Sequence, residues 1–347
     1  MTWLTWRQFR AQAIVAAAAL GVVAIALAVT GPHLAHLYAS SGVATCQAHG
    51  TCGTDVTAFM DQLKSAGDTV VFFLSNALLG VTPALIGIFW GAPLIAREIE
   101  AGTFRLAWSQ SVTRLRWLAV KLGLIGLASM ATVALLSFMV TWWASPIDRA
   151  NGLPDGRNGT TGLNHFSPEL FLARGIAPIG YAAFAFALGV TAGLLLRRTV
   201  PAMAITLAVF AAFQIAMPLW IRPHLLPPRH TTAVLSAASI DGWNTGSNGY
   251  INVSAAVNLP GAWVLSNQVV TPAGQVFSGP APTACTAATG TISACSTALG
   301  KLDLRQQVTY QPGSRYWAFQ WLETGIFLVL AAALGGCCAW LIRRRAP

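Results

Sequence analysis

Charged residues are scarce in this sequence. They make up 9% of the 347 residues, whereas a soluble globular domain carries about 25%. Hydrophobic residues reach 55%, and the mean hydropathy is +0.59. This composition excludes an ordinary water-soluble enzyme and predicts a protein embedded in a bilayer.

The apolar segments also lack the alternation of apolar and polar residues that a transmembrane β-barrel requires. They run continuously for roughly the 20 residues that cross about 30 Å of hydrocarbon as a helix. The sequence therefore predicts an all-α integral membrane protein with six transmembrane helices. The predicted spans are Ala13–Thr30, Val70–Ile95, Trp117–Trp143, Gly175–Leu196, Val200–Ile221 and Phe319–Ile342.

Basic residues are distributed unevenly over the connections between these spans. If the amino terminus is cytoplasmic, the whole formal excess of +10 falls on the inner side, which predicts that both termini are cytoplasmic. This location explains the basic charge without nucleic acid, so no nucleic-acid partner is predicted. An alternative for the first segment is a signal peptide, because Arg7 and Arg10 precede its apolar stretch. Removal of a signal peptide would leave five spans, and the basic connections would then no longer all lie on one side of the membrane.

Residues 222–318 form the longest predicted outer connection. They are rich in Pro, Gly, Ser, Thr and Asn, which predicts a small extracytoplasmic cap of irregular or β structure between spans 5 and 6. Thiols outside the cytoplasm tend to pair. We therefore predict two disulfides, Cys46–Cys52 in the first outer connection and Cys285–Cys295 in the cap. A metal site using His33 or His49 is the alternative, but no tight cluster of ligands accompanies them, and no metal is predicted.

Several kinds of catalytic and transport motif are missing. Gly300-Lys301 lacks both the earlier glycine and the following hydroxyl of a phosphate-binding loop, so the chain is not expected to hydrolyse ATP by itself. Acidic residues are missing near the centres of the predicted spans, which disfavours an ion-driven carrier. All six histidines fall outside the predicted spans, which excludes paired haem ligands within the membrane. A membrane enzyme is disfavoured, and no bound cofactor is predicted.

The inner connection between spans 2 and 3 carries the most informative pattern. Glu98 and Glu100 end the second helix, Gly102 interrupts it, and Thr103 is a good N-cap for a short helix. That helix would carry Phe104 and Trp108 on one side. A short amphipathic helix between two long helices is suited to docking in a groove of another protein. The alternative is a basic turn at the membrane surface.

This connection resembles the inner loop of type II ABC exporter permeases. The shared features are acidic residues, Gly-Thr, a short apolar helix, a Ser/Thr-Arg pair and a later Lys, although many members have a proline shortly before the Arg. In that family the loop carries a coupling helix that contacts a separate nucleotide-binding subunit. The resemblance implies this role for Glu98, Glu100, Gly102, Thr103, Arg114 and Lys121. Phe104 and Trp108 complete the predicted ATPase-coupling set.

The amino-terminal segment resembles the interfacial connecting helix of the same family. Trp3, Trp6 and Arg10 share a face at helical spacing, and Arg7 can reach lipid phosphate. The predicted division is an interfacial helix at 1–12, spans 1–5 at 13–221 with a coupling loop at 96–116, the cap at 222–318, and span 6 with a basic tail at 319–347. The carboxy-terminal part resembles actinobacterial members.

The resemblance implies the permease subunit of an ATP-driven exporter in a bacterial plasma membrane. Its partners would be an ABC ATPase that binds ATP and Mg, and a second permease copy, in a homodimer. A hydrophobic or amphipathic substrate, such as a drug or antibiotic, would suit uncharged spans. Uncharged polar residues in the spans are candidates for lining a substrate cavity, or alternatively form hydrogen bonds between helices. They are Ser75, Asn76, Thr82, Ser129, Thr132, Thr206 and Gln214.

A different interpretation of the whole sequence is a membrane scaffold or receptor whose cap binds a partner.

Overall fold

Six helices in the described part of the chain are long and apolar enough to cross a membrane, as predicted. The computed structural model describes residues 2–46, 52–102, 113–153, 164–245, 250–257, 259, 261–280, 282–285 and 292–345. The six candidate spans are Phe9–Ser40, Asp68–Glu100, Leu115–Asn151, Ala177–Leu196, Thr199–His224 and Gly313–Arg344. We number them spans 1 to 6, and we call their two ends the loop end, where Gly102 and Thr113 lie, and the cap end, where spans 5 and 6 meet the region between them.

Ten α-helices are described. They are α1 Thr2–Ser40, α2 Gly53–Ser65, α3 Asp68–Ile86, α4 Ala92–Glu100, α5 Arg114–Asn151, α6 Pro168–Phe171, α7 Ala177–Leu196, α8 Thr199–Ala216, α9 Ile292–Gly300 and α10 Tyr316–Arg345. A π-helical turn, Gly87–Gly91, joins α3 to α4 within span 2. Span 5 continues beyond α8 through a second π-helical turn, Met217–Ile221, and a 3-10 turn, Arg222–His224.

Helix α1 extends beyond the predicted first span, Ala13–Thr30, at both ends. It runs unbroken from Thr2 to Ser40, and residues 2–12 are continuous with span 1, because no glycine or proline precedes Gly21. The helix also continues through Pro32, which carries His33 and His36 on the same helix as span 1. His33 Nδ1 lies 3.2 Å from Asp68 Oδ2 and joins the cap ends of spans 1 and 2.

Span 4 lies at the centre of the helical part. Of its most apolar window 72% is buried, compared with 6% in span 1, and it packs against spans 2, 3, 5 and 6. Its helix α7 is rich in alanine and glycine, which lets neighbouring backbones approach closely. Span 4 is therefore the element around which the other spans are arranged.

The region between spans 5 and 6 contains two three-stranded antiparallel sheets, which are a small addition to a mostly helical fold. The strands are β1 Arg229–Val234, β2 Ile240–Thr245, β3 Tyr250–Ala255, β4 Trp263–Val270, β5 Gly279–Pro280 and β6 Arg305–Gln311. One sheet has the order β1-β6-β4 and the other β2-β3-β5. The expected β content of this region, which we call the cap, is confirmed.

Aromatic packing holds the cap to the spans. The ring of Trp263 in β4 stacks on Phe166, with centroids 5.7 Å apart, and Phe166 also contacts Phe319 of span 6. Asn164 Nδ2 donates to the carbonyl of Ala262 at 3.0 Å. The cap is thus packed directly on the cap ends of the spans.

Both predicted disulfides are present. Cys46–Cys52 joins the segment that follows α1 to the N-cap residue of α2, and Cys285–Cys295 joins α9 to the chain before it. All four cysteines are buried. Neither of the other two cysteines forms a disulfide; Cys337 is exposed and Cys338 is buried.

Candidate functional site

Helix α4 ends where the sequence predicted. Gly102 has φ +67, the left-handed conformation in which glycine commonly terminates a helix. The predicted docking residues Thr103, Phe104 and Trp108 lie outside the described residues. The described chain resumes at Thr113, whose side chain accepts a hydrogen bond from the backbone N–H of Arg116 at 3.4 Å and caps α5.

Arg114 is the first residue of α5. It therefore lies at the loop-end start of span 3, and its coupling role stays a prediction. Nothing further is described for its side chain.

Glu98 and Lys121 form an ion pair between spans 2 and 3 at the loop end. The side chain of Lys121 is 3% exposed and that of Glu98 is 15% exposed. The ammonium also lies 4.7 Å from the ring centroid of Trp117, a favourable cation–π distance. Because a buried charge is strongly destabilising once its partner is removed, this pair fixes α4 against α5.

Glu100 caps the helix of span 5. Its Oε1 accepts from the backbone N–H of Thr199 at 3.0 Å, and its Oε2 accepts from Thr199 Oγ1 at 2.5 Å. The first backbone N–H groups of a helix lack partners within the helix, and a negative charge there is stabilised by the helix dipole. The sequence marked Glu100 but not Thr199. A threonine at a helix start is the signal that would have found it.

The last turn of α4 is therefore held on two sides. Successive helical residues are about 100° apart, so Glu98 and Glu100 point in different directions, one to span 3 and the other to span 5. A displacement of the chain beyond Gly102 would act on α4 and, through these contacts, on three spans.

Span 2 also lies against span 4 through glycine. A Cβ at Gly91 would be 2.6 Å from the carbonyl oxygen of Phe186, one at Gly189 would be 2.7 Å from the nitrogen of Ala92, and one at Gly193 would be 2.5 Å from the oxygen of Ala92. No side chain fits at these distances. Gly91 of span 2 therefore packs against span 4, and Gly189 and Gly193 of span 4 pack against span 2, within this chain.

The predicted cavity residues do not gather in one place. Thr82 and Thr132 line an open, mostly apolar groove of about 500 Å³ between α1, α3 and α5. Asn76 accepts a hydrogen bond from Arg174 at 2.7 Å, and Gln214 is half-buried in span 5. The other three donate to carbonyls of their own helices: Ser75 to Phe72, Ser129 to Ile125 and Thr206 to Ala202.

The predicted interfacial residues are exposed on α1. Trp3 and Trp6 are 67% and 55% exposed, and the guanidinium of Arg7 lies over the Trp3 ring. Arg10 is exposed as well. Phe9 instead packs edge-on against Trp90 of span 2, with centroids 4.8 Å apart. The exposed face is available for lipid, and the interfacial role stays a prediction.

Buried charges at the cap end were missed by the sequence reasoning. Glu323 of span 6 accepts hydrogen bonds from Tyr181 of span 4 and from Arg222 at the end of span 5, and its Oε2 lies 2.9 Å from Arg222 Nε. Both members of the ion pair are fully buried. In the sequence, Glu323 is a single acidic residue near the start of the last apolar segment. A lone carboxylate in an apolar helix is the signal that a counter-charge must lie nearby.

A model of one protein family matches residues 17–222, more than half of the chain, and its description is ABC-2 membrane transporter related. No curated protein and no solved structure matches.

Proposed function

This chain belongs to the ABC-2 membrane transporter related family, and we propose that it is the transmembrane permease subunit of an ATP-driven exporter. The family implies an ATPase partner and is typically non-catalytic. In the proposed complex a separate ABC ATPase binds ATP and Mg, and two copies of this chain form the pathway. Both termini and the loop end face the cytoplasm of a bacterial cell.

The observation that carries this proposal is the double attachment of α4. Its last turn is joined to span 3 by Glu98–Lys121 and to span 5 by Glu100–Thr199. The predicted docking segment begins directly after it. Closure of an ATPase dimer on ATP would move that segment, and the two attachments would carry the motion into the spans and change which side of the membrane is open.

The substrate we propose is a hydrophobic or amphipathic molecule, with a drug or an antibiotic favoured by the family resemblance. The groove between α1, α3 and α5 supports this class, because its lining is almost entirely apolar and includes the uncharged polar residues Gln12, Thr82 and Thr132. Pockets for such ligands are mostly apolar with a few polar groups that set orientation.

Glutamine substitution of the two glutamates tests the coupling. Glu98→Gln and Glu100→Gln are compared with Glu169→Gln, an exposed glutamate on α6 at the cap end. The complex with its ATPase is reconstituted in proteoliposomes, and substrate moved per ATP hydrolysed is measured. We expect this ratio to fall about 5- to 150-fold in the first two variants and to be unchanged in the third.

Two results would overturn the proposal. One is a normal ratio in Glu98→Gln and Glu100→Gln complexes that assemble fully. The other is transport by the purified chain alone, at the same rate with no ATPase added. A homomer that never co-purifies with an ATPase would favour the scaffold or receptor reading instead.

A further inference from the structure

A cavity lined by both polar and apolar residues opens at the cap end of the spans, away from the Glu98–Lys121 pair. Its volume is about 550 Å³, within the range of roughly 300–1,000 Å³ found for ligand sites. One wall is a face of α5, since Thr141, Ser145, Asp148 and Gly152 follow one another at helical spacing. The facing residues include Tyr38 at the end of α1 and also His165.

Unpaired polar atoms lie on and behind this wall. Asp148 Oδ2 accepts from Arg174 Nε at 2.8 Å, and Arg174 Nη1 donates to Asn76 Oδ1 at 2.7 Å. Asp148 Oδ1, Arg174 Nη2 and Thr141 Oγ1 are buried without a hydrogen-bond partner. Buried polar atoms nearly always have partners. Two of these atoms belong to residues that line the cavity, Thr141 and Asp148, and they point to a bound polar group there.

The position of the cavity along α5 corresponds to the lipid headgroups. Trp142 is 56% exposed, as expected for an indole at the membrane–water interface. Asp148 lies six residues further along the helix, about 9 Å outward at 1.5 Å per residue. Arg149 lies seven residues beyond Trp142, on the same helical face, and is exposed at the cavity lining.

The charges of Arg149 and Asp148 at this cavity favour a zwitterionic ligand. Arg149 presents a cation at the lipid-facing edge, where a phosphodiester would lie. The unpaired Oδ1 of Asp148 is an acceptor deeper in the wall, and it suits an ammonium that donates N–H. We propose that this cavity binds the phosphoethanolamine headgroup of a membrane lipid, with the phosphodiester on Arg149 and the primary ammonium on Asp148. A choline headgroup has no N–H to donate and fits less well.

Lipid retention tests this site independently of transport. The full-length chain is reconstituted in vesicles of equal parts phosphatidylethanolamine and phosphatidylcholine, extracted in detergent, and its retained lipids are counted by native mass spectrometry. We expect phosphatidylethanolamine to be retained about tenfold over phosphatidylcholine, the effect of one hydrogen bond to a charged group. Asp148→Asn should abolish the preference, and Arg149→Gln, which removes the contact with the phosphodiester that both lipids share, should lower the retention of both lipids.

Controls separate this site from general effects. Lys64→Gln removes an exposed cation on α2 at the same end and should keep the preference. Arg149 is exposed, so Arg149→Gln should fold even if Asp148→Asn, which removes the partner of buried Arg174, does not. Equal retention of both lipids by the wild type, or the same loss in Lys64→Gln, would overturn the proposal. Binding of free phosphoethanolamine with no lipid retained would overturn the assignment to a lipid.

Discussion

Gly189 faces span 2 with no space for a side chain, and Arg222 and Glu323 face each other with no exposure to solvent. Both kinds of position are sensitive to single changes. At the glycine, a methyl group must displace backbone atoms. At the ion pair, removal of one partner leaves a charge buried alone.

Replacement of Gly189 by alanine should loosen the contact between spans 2 and 4. The new Cβ would be 2.7 Å from the nitrogen of Ala92, and overpacking typically costs about 1–3 kcal/mol. We expect a lower midpoint of thermal unfolding in detergent, followed by tryptophan fluorescence. Gly123→Ala is the matched control, because nothing lies within 4 Å of a Cβ there, and an equal loss in both variants would contradict the explanation.

The Arg222–Glu323 pair should show strong coupling between its two positions. Arg222→Met and Glu323→Leu should each reduce the free energy of unfolding by about 3–5 kcal/mol, because the remaining charge stays buried, whereas the double variant should recover much of that loss. Unfolding of all four proteins in denaturant gives the coupling energy as a double-mutant cycle. Additive single effects would show that the two side chains do not stabilise each other.

At the scale of elements, the cap is a small unit between two spans. Its second sheet, β2-β3-β5, lies over a core of Ile251, Cys285, Cys295 and Leu299. Small domains bury little surface and commonly rely on disulfides. The Cys285–Cys295 disulfide is therefore expected to contribute much of the stability of this sheet.

Loss of this disulfide should open the cap and leave the spans intact. Replacement of Cys285 and Cys295 together by serine should destabilise the cap by about 2–4 kcal/mol and make it more sensitive to limited proteolysis. Intact fragments of spans 1–5 should persist in the same digest. Cys337→Ser, at an exposed cysteine in span 6, should leave the digestion pattern unchanged, and if the double variant resists protease as the wild type does, the disulfide is not needed for the cap.

At the scale of the whole molecule, the charge bias predicts the orientation of the chain. The excess of +10 lies at the loop end and the termini, and positive residues are retained in the cytoplasm. The cap, with its disulfide, would then lie in the oxidising space outside.

Reporter fusions measure this orientation. Green fluorescent protein joined after Pro347 should fluoresce, because it folds in the cytoplasm, and alkaline phosphatase inserted between Leu302 and Asp303 of the cap should be active, because it requires an oxidising compartment. The exchange of the two reporters should abolish both signals. Activity of the phosphatase at the carboxy terminus would reverse the predicted orientation.

Much of the helical architecture follows from local sequence. Each of the six spans is a continuous apolar run, the break after Glu100 follows from Gly102, and both disulfides follow from the two cysteines in each of two predicted outer connections. The expected boundaries were too short in span 1, where the helix continues past Thr30 to Ser40. Hydropathy measures the apolar core of a helix and not the turns that extend beyond it.

Only the tertiary structure brings together groups that are far apart in the chain. Glu100 and Thr199 are 99 positions apart, and Arg222 and Glu323 are 101 apart. Gly189 and Ala92, whose backbones are in close contact, are also far apart in the chain. The sequence by itself determined which segments are helical and apolar, because that depends on neighbouring residues. The packing of the helices decided which polar groups became partners, because a buried charge or an unpaired helix end is satisfied by whatever group lies beside it.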